Sequence, residues 1–185
     1  MFSDAYNLTV EKIKQFHKEN KVWNGDATPD YADAIKFYVE KHNATSLLDY
    51  GCGKALHYDK NSHIKFGKDK NQTFDELLNI DNIFKYDPGV DQFSALPPLE
   101  SKFDAVIAIQ SIVNVPDQDF PTVVDLLMKL TNKFCFIGSW QLSRPVKQKK
   151  RDLLDPEYFR IIRTQTWYED QFKNWTGSEL ILHWI

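Results

Sequence analysis

Two cysteines, two methionines and seven glycines are a thin supply for 185 residues. Cys52 and Cys135 lie far apart, make no metal motif, and each sits in or beside an apolar run, where a reduced thiol packs as a small hydrophobe. No apolar stretch approaches the ~20 residues that a membrane-spanning helix requires. Positive charge is not in excess either. Lys and Arg total 23 against 26 Asp and Glu, a formal net charge of −3, so the chain as a whole lacks the field of a general nucleic-acid binder. The start, Met1-Phe2-Ser3-Asp4-Ala5-Tyr6, lacks the charged, apolar and small-residue order of a secretory signal, and the expected location is cytoplasmic. No internal repeat or low-complexity tract is present. The length suits a single domain, 1–185, burying about two-thirds of its unfolded surface. Aromatic residues, by contrast, are plentiful at 14%, enough to fill a core or wall a flat-ligand pocket.

The hydrophobic pattern gives the order of elements. A helix over about 9–19 places Val10, Ile13, Phe16 and His17 near one face. Thr28-Pro29 reads as an N-cap followed by proline at the first position of a second helix, whose inward residues are Ala34, Ile35, Tyr38 and Val39. Ser46-Leu47-Leu48-Asp49-Tyr50 is a short buried strand, and Thr73 to Leu78 holds a helical turn or two. A strand at 83–86 stops at the turn Asp87-Pro88-Gly89. Phe103 to Ile109 is apolar almost throughout and predicts a central strand covered on both faces. Helical spacing of Val123, Val124, Leu127, Met128 and Leu130 then leads into a buried strand at 134–138. Thr166-Trp167-Tyr168-Glu169 is a capping-box pattern, and Glu179 to Ile185 an edge strand. Alternation of this kind predicts a Rossmann-like, three-layer α/β sandwich on a mostly parallel sheet.

The glycines stand where such a fold binds ligands. Gly51 and Gly53 follow the first strand directly, and a glycine-rich turn there lets a ligand approach the backbone. A dinucleotide fails two tests: its third glycine position holds Leu56, and Asp87, the first acid at a strand end, comes 34 residues after Gly53 instead of about 20.

Asp49-Tyr50-Gly51-Cys52-Gly53-Lys54-Ala55 resembles the D-x-G-x-G-x-G first motif of the class I S-adenosylmethionine-dependent methyltransferases. Tyr86-Asp87-Pro88-Gly89-Val90 and Phe103-Asp104-Ala105-Val106-Ile107-Ala108 extend the likeness, as do Trp23-Asn24-Gly25 and Arg144-Pro145. The chain is similar over roughly residues 20 to 175 to a group of short bacterial and phage members of that class. The resemblance implies S-adenosylmethionine as cofactor. Gly51 and Gly53 would lie under its methionine part, Asp49 would hold its ammonium, and Asp87 would accept bonds from the ribose hydroxyls, an ionised acceptor making the stronger bond. Gln92, Phe93 and Ser94 would border the adenine; Ile109 and Gln110 would reach the transfer site. His57 and Tyr58 would face the methyl acceptor, a small molecule, with helices in 1–45 forming part of a lid.

Each assignment has a plainer counterpart. Asp49 is also a capping acid, Asp87 a turn residue before proline, Phe93 a core ring, His57 a satisfied core imidazole, and the run Lys147 to Arg151 a solvated loop. The chain also departs from the pattern. Ala55 replaces the third glycine, and Gln110-Ser111-Ile112-Val113-Asn114 stands where relatives commonly carry an acid and a histidine. Methyl transfer itself needs little acid–base help, because the sulfonium already activates the methyl group and alignment supplies much of the rate. Asp87-Pro88-Gly89 follows the wrong strand to be the D-P-P-Y motif of nucleic-acid amino methylases, which disfavours DNA. Two rival readings stay open: a cofactor-binding partner subunit that has lost transfer, and, on fold analogy alone, a nicotinamide oxidoreductase.

Overall fold

The computed structural model describes residues 2–19, 23–139 and 163–185. Helix α1 spans Asp4–Glu19 and α2 Ala32–His42; then come β1 (Ser46–Tyr50), α3 (Phe74–Leu78), β2 (Asn82–Tyr86), β3 (Phe103–Ile109), α4 (Phe120–Leu130), β4 (Thr131–Ser139), α5 (Gln165–Phe172) and β5 (Glu179–Trp184). The five strands pair in the order β2-β1-β3-β4-β5, every pair parallel. The strand with the most continuous apolar run, β3, is buried at every position and lies at the centre, since only a strand covered on both faces can carry such a run.

Alternation along the strands divides the core into two layers. Leu47, Ala105, Ile107, Phe134 and Phe136 pack against α2 and α3. Leu48, Val106, Ala108, Cys135 and Ile137 pack against α4, α5 and Tyr6 of α1. Both cysteines are free and buried, and burial pushes both thiols up, which suits packing and not nucleophilic chemistry.

Two helix starts differ from the sequence expectation. Thr28-Pro29 opens a separate 3₁₀ turn, Thr28–Asp30, and α2 begins only after Tyr31, whose fully buried ring fixes the entry by packing edge-on to Phe136 and His183. For α5 the cap is Thr164, whose hydroxyl accepts from the Trp167 amide at 3.1 Å, not Thr166. That start puts Tyr168 and Phe172, four apart, on the sheet-facing side. Helix α1 also begins five residues earlier than its apolar spacing indicates, because Ser3 caps it and Asp119 holds Ser3 through its amide (2.8 Å) and hydroxyl (2.6 Å).

Arg163 ties the start of α5 to the segment that leaves β3. Its guanidinium donates to Asp117 at 2.6 and 2.8 Å and to the Val115 carbonyl, and lies 4.3 Å from the centre of the Trp167 ring. The side chain is almost wholly buried while Asp117 is exposed, so the bond to Val115 and the ring contacts carry most of its effect. Replacement Arg163→Met is expected to lower stability by about 2 kcal/mol, from the lost charge-assisted bond and the orphaned carbonyl. An unchanged midpoint in urea would show that Arg163 is not what holds this segment.

Candidate functional site

The sheet order places β2 on one side of β1 and β3 on the other, so the chain reverses direction at β1, and the crevice beyond the strand ends there is where open α/β sheets bind ligands. A cavity of about 430 Å³ lies at that point, within the usual range for a small-molecule site. Its floor is the ends of three strands: Asp49 to Gly53 at the end of β1, Asp87 and Pro88 after β2, and Ile109 to Ser111 at the end of β3. Helix α1 borders it with Tyr6, Thr9, Val10, Ile13 and His17, and 23–28 closes another side. The second N-terminal helix, α2, packs Ile35 and Val39 into the sheet layer instead.

The glycine turn is built for close packing within the chain. An alanine methyl at Gly51 would fall 2.0 Å from Cβ of Ser111, and one at Gly53 would fall 2.1 Å from the Trp23 carbonyl. Both glycines, and Ala55 beside them, have left-handed backbones, with φ of +83°, +59° and 54°. Ala55 thus keeps the conformation a glycine would adopt, and its buried methyl lies outside the cavity lining, so it does not narrow the loop there.

Every amide of the turn is already spoken for. Gly51 and Cys52 donate to the Tyr86 carbonyl (2.6 and 3.1 Å), Gly53 to Asp87 (2.9 Å), Lys54 to Trp23 (3.0 Å), Ala55 to Cys52 (3.1 Å) and Leu56 to Asn24 (2.8 Å). The turn runs into a 3₁₀ turn, Leu56–Tyr58. The Trp23–Gly25 arch packs over it, with Gly25 set directly against the His57 ring. Phosphate recognition at such a turn needs unpaired amides and a helix N-terminus, and this turn presents neither.

Asp87 is the best-defined acid of the site. Its two oxygens accept from Gly53 (2.9 Å) and Gly89 (2.8 Å), which uses two of about four lone-pair directions. Burial pushes its carboxyl up to about 6, the two amides pull the other way, and the charge of Asp49 adds to the rise. Asp49 is buried too and accepts from Tyr58 at 3.1 Å while pairing with His57 Nε2 at 2.8 Å. Both bonds fall on Oδ2, and among the described residues Oδ1 carries none.

Asp49, Gly51, Gly53, His57, Asp87, Ile109 and Gln110 therefore meet around one cavity. Tyr58 lies behind Asp49, outside the lining, with Lys85 4.5 Å from its ring centre. Gln92, Phe93 and Ser94 follow Asp87 closely, and the Phe93 carbonyl accepts from the Asp87 amide, but none of the three lines the cavity. The run Lys147 to Arg151 and Arg144-Pro145 lie outside the described residues.

The structure adds groups that spacing did not single out. Tyr50 and His17 are buried in the wall, the Tyr50 hydroxyl against that of Tyr6, and among the described residues His17 Nδ1, Gln110 Oε1 and Asn114 Oδ1 are buried without a hydrogen-bond partner. Burial and the charge of Lys54 bring the His17 imidazole down to about 4, so it is neutral at neutral pH. Gln110 itself has a left-handed backbone (φ 54°), a strained conformation at a strand end of the kind that collects at binding sites. Among the described residues no group of His, Cys, Asp and Glu could hold a metal ion, and no helix is long and apolar enough to cross a membrane. The chain matches no protein-family model, no curated protein and no solved structure.

Proposed function

We propose that this protein binds S-adenosylmethionine in the cavity beyond β1 and transfers its methyl group to a small molecule. The observation that carries the reading is the cavity at the reversal point of the sheet, with an acid at the end of β1, an acid after β2 and a glycine turn between them whose amides are all used internally. A cofactor recognised through its phosphates has nothing to hold there, whereas S-adenosylmethionine carries no phosphate and offers an ammonium to Asp49 Oδ1 and ribose hydroxyls to Asp87. The buried polar atoms without partners support the presence of a polar ligand, because such atoms cost about 1–3 kcal/mol each when left unpaired.

Thermal unfolding tests the cofactor. At a hundredfold excess over its dissociation constant, S-adenosylmethionine or S-adenosylhomocysteine should add about 2.7 kcal/mol and raise the melting temperature by about 5–10 °C, and NAD should leave it unchanged. No shift with either adenosyl ligand at millimolar concentration removes the assignment.

A second reading, a cofactor-binding subunit without transfer, is favoured by one observation: His57, the histidine nearest the turn, is fully buried and committed to Asp49. Tight binding with no transfer to any acceptor in extract of the protein's own host would select it.

A further inference from the structure

The charges and orphaned atoms around the cavity bear on what receives the methyl group; the argument rests on the methyl-transfer reading of the same site. The ionisable side chains lining it are Asp26, Asp49, Asp87, His17 and His57, besides the phenols and the thiol of Cys52, and no lysine or arginine lines it among the described residues. His17 is neutral and His57 is paired with Asp49, so no lining group is available to balance a bound anion. A carboxylate or thiolate acceptor brought here would sit among carboxylates, desolvated and unpaired.

Two of the partnerless atoms, Gln110 Oε1 and Asn114 Oδ1, are carboxamide oxygens on the segment that leaves β3, where the transfer site is placed. Such oxygens only accept. Acceptor oxygens of this kind need N–H or O–H groups from a ligand, and Tyr6, Val10 and Val115 give the same wall an apolar surface.

We infer that the acceptor is an uncharged amine, held through its N–H groups by Gln110 and Asn114. The step then balances without a base. The nitrogen lone pair forms the new N–C bond, the C–S bond breaks with its electron pair remaining on sulfur, and the product leaves as a methylated ammonium beside neutral S-adenosylhomocysteine. One positive charge passes from sulfur to nitrogen inside a cavity lined by the carboxylates of Asp49 and Asp87. This accounts for a segment 110–114 with neither an acid nor a histidine, since no proton has to leave before the new bond forms.

The test is calorimetric titration of the protein saturated with S-adenosylhomocysteine, using aniline and 4-methylaniline, both uncharged at neutral pH, beside benzoate and benzyl mercaptan, followed by assay of labelled methyl transfer to each. The amines should bind at least about tenfold more tightly than benzoate and should accept the label. Asn114→Leu should weaken amine binding about tenfold while leaving S-adenosylhomocysteine affinity within about threefold, which also reports that the variant is folded. Benzoate binding as well as the amines, both amines failing to bind, or Asn114→Leu leaving amine affinity unchanged each overturns the inference. Failure of the cofactor reading is visible earlier and separately, as absence of S-adenosylhomocysteine binding before any probe is added, and it takes this inference with it.

Discussion

Gly53→Ala should lower the stability of the fold by about 3 kcal/mol and abolish ligand binding. The left-handed backbone at this position costs an L-residue about 1–2 kcal/mol, and forcing a methyl into a filled space about 1–3 more. The obstacle is the Trp23 carbonyl, 2.1 Å from the new methyl. Backbone cannot rotate aside as a side chain can, so the arch at 23–25 must lift, and with it go the bonds from Lys54 to Trp23 and from Leu56 to Asn24. Gly51→Ala meets a different obstacle, the Ser111 side chain. Adding Ser111→Gly should therefore recover part of the loss at position 51, whereas no single side-chain deletion rescues position 53. Urea unfolding of the three variants decides it. A Gly53→Ala protein as stable as the parent would show that the arch does not rest on the turn.

That contrast also indicates what the sequence could and could not reveal. The strands were legible because their signal is local: β3 is an unbroken apolar run and was found residue for residue, and Asp87-Pro88-Gly89 ends β2 through backbone preferences that need no partner. The parallel order followed from alternation with helices. The arch over the glycine turn was not legible, since it depends on a meeting between 23–25 and 51–56 that no spacing encodes. For the same reason the reading named His57 without its bond to Asp49. Asn114 was noticed as part of a departure from a pattern, but its orphaned oxygen exists only because the turn at Ile112–Asn114 buries it. Helix α1 was seen too short because its first turn is held by Asp119, more than a hundred residues away.

The affinity for S-adenosylhomocysteine should fall about tenfold between pH 7 and pH 5, through Asp87. Ribose hydroxyls bond best to the ionised carboxylate, and in the free protein this carboxyl takes up its proton near pH 6. Below that value binding must expel the proton, and each further pH unit costs at most tenfold; above pH 7 the affinity should be flat. The stability of the ligand-free protein should move the opposite way. A carboxyl raised from 3.8 to about 6 makes the folded state bind more protons than the unfolded one between those values. Stability from this group is therefore lost as pH rises through 6 and regained, by up to about 3 kcal/mol, as pH falls toward 4. Asp104 and Glu76, both held down to about 2 by their hydrogen bonds, contribute stability that is lost only as pH falls below about 4, so they do not mask the window between 7 and 5. His17, on the α1 wall of the same cavity, is already neutral there. Asp87→Asn keeps one acceptor oxygen but cannot titrate, and its dissociation constant should be weaker at pH 7 and lose the step at 6. Calorimetric titrations at pH 5, 6, 7 and 8 on both proteins measure this directly. An affinity that is flat across that range in the parent, or an Asp87→Asn variant that keeps the step, would return Asp87 to the role of a carboxylate that only fastens Gly53 to Gly89.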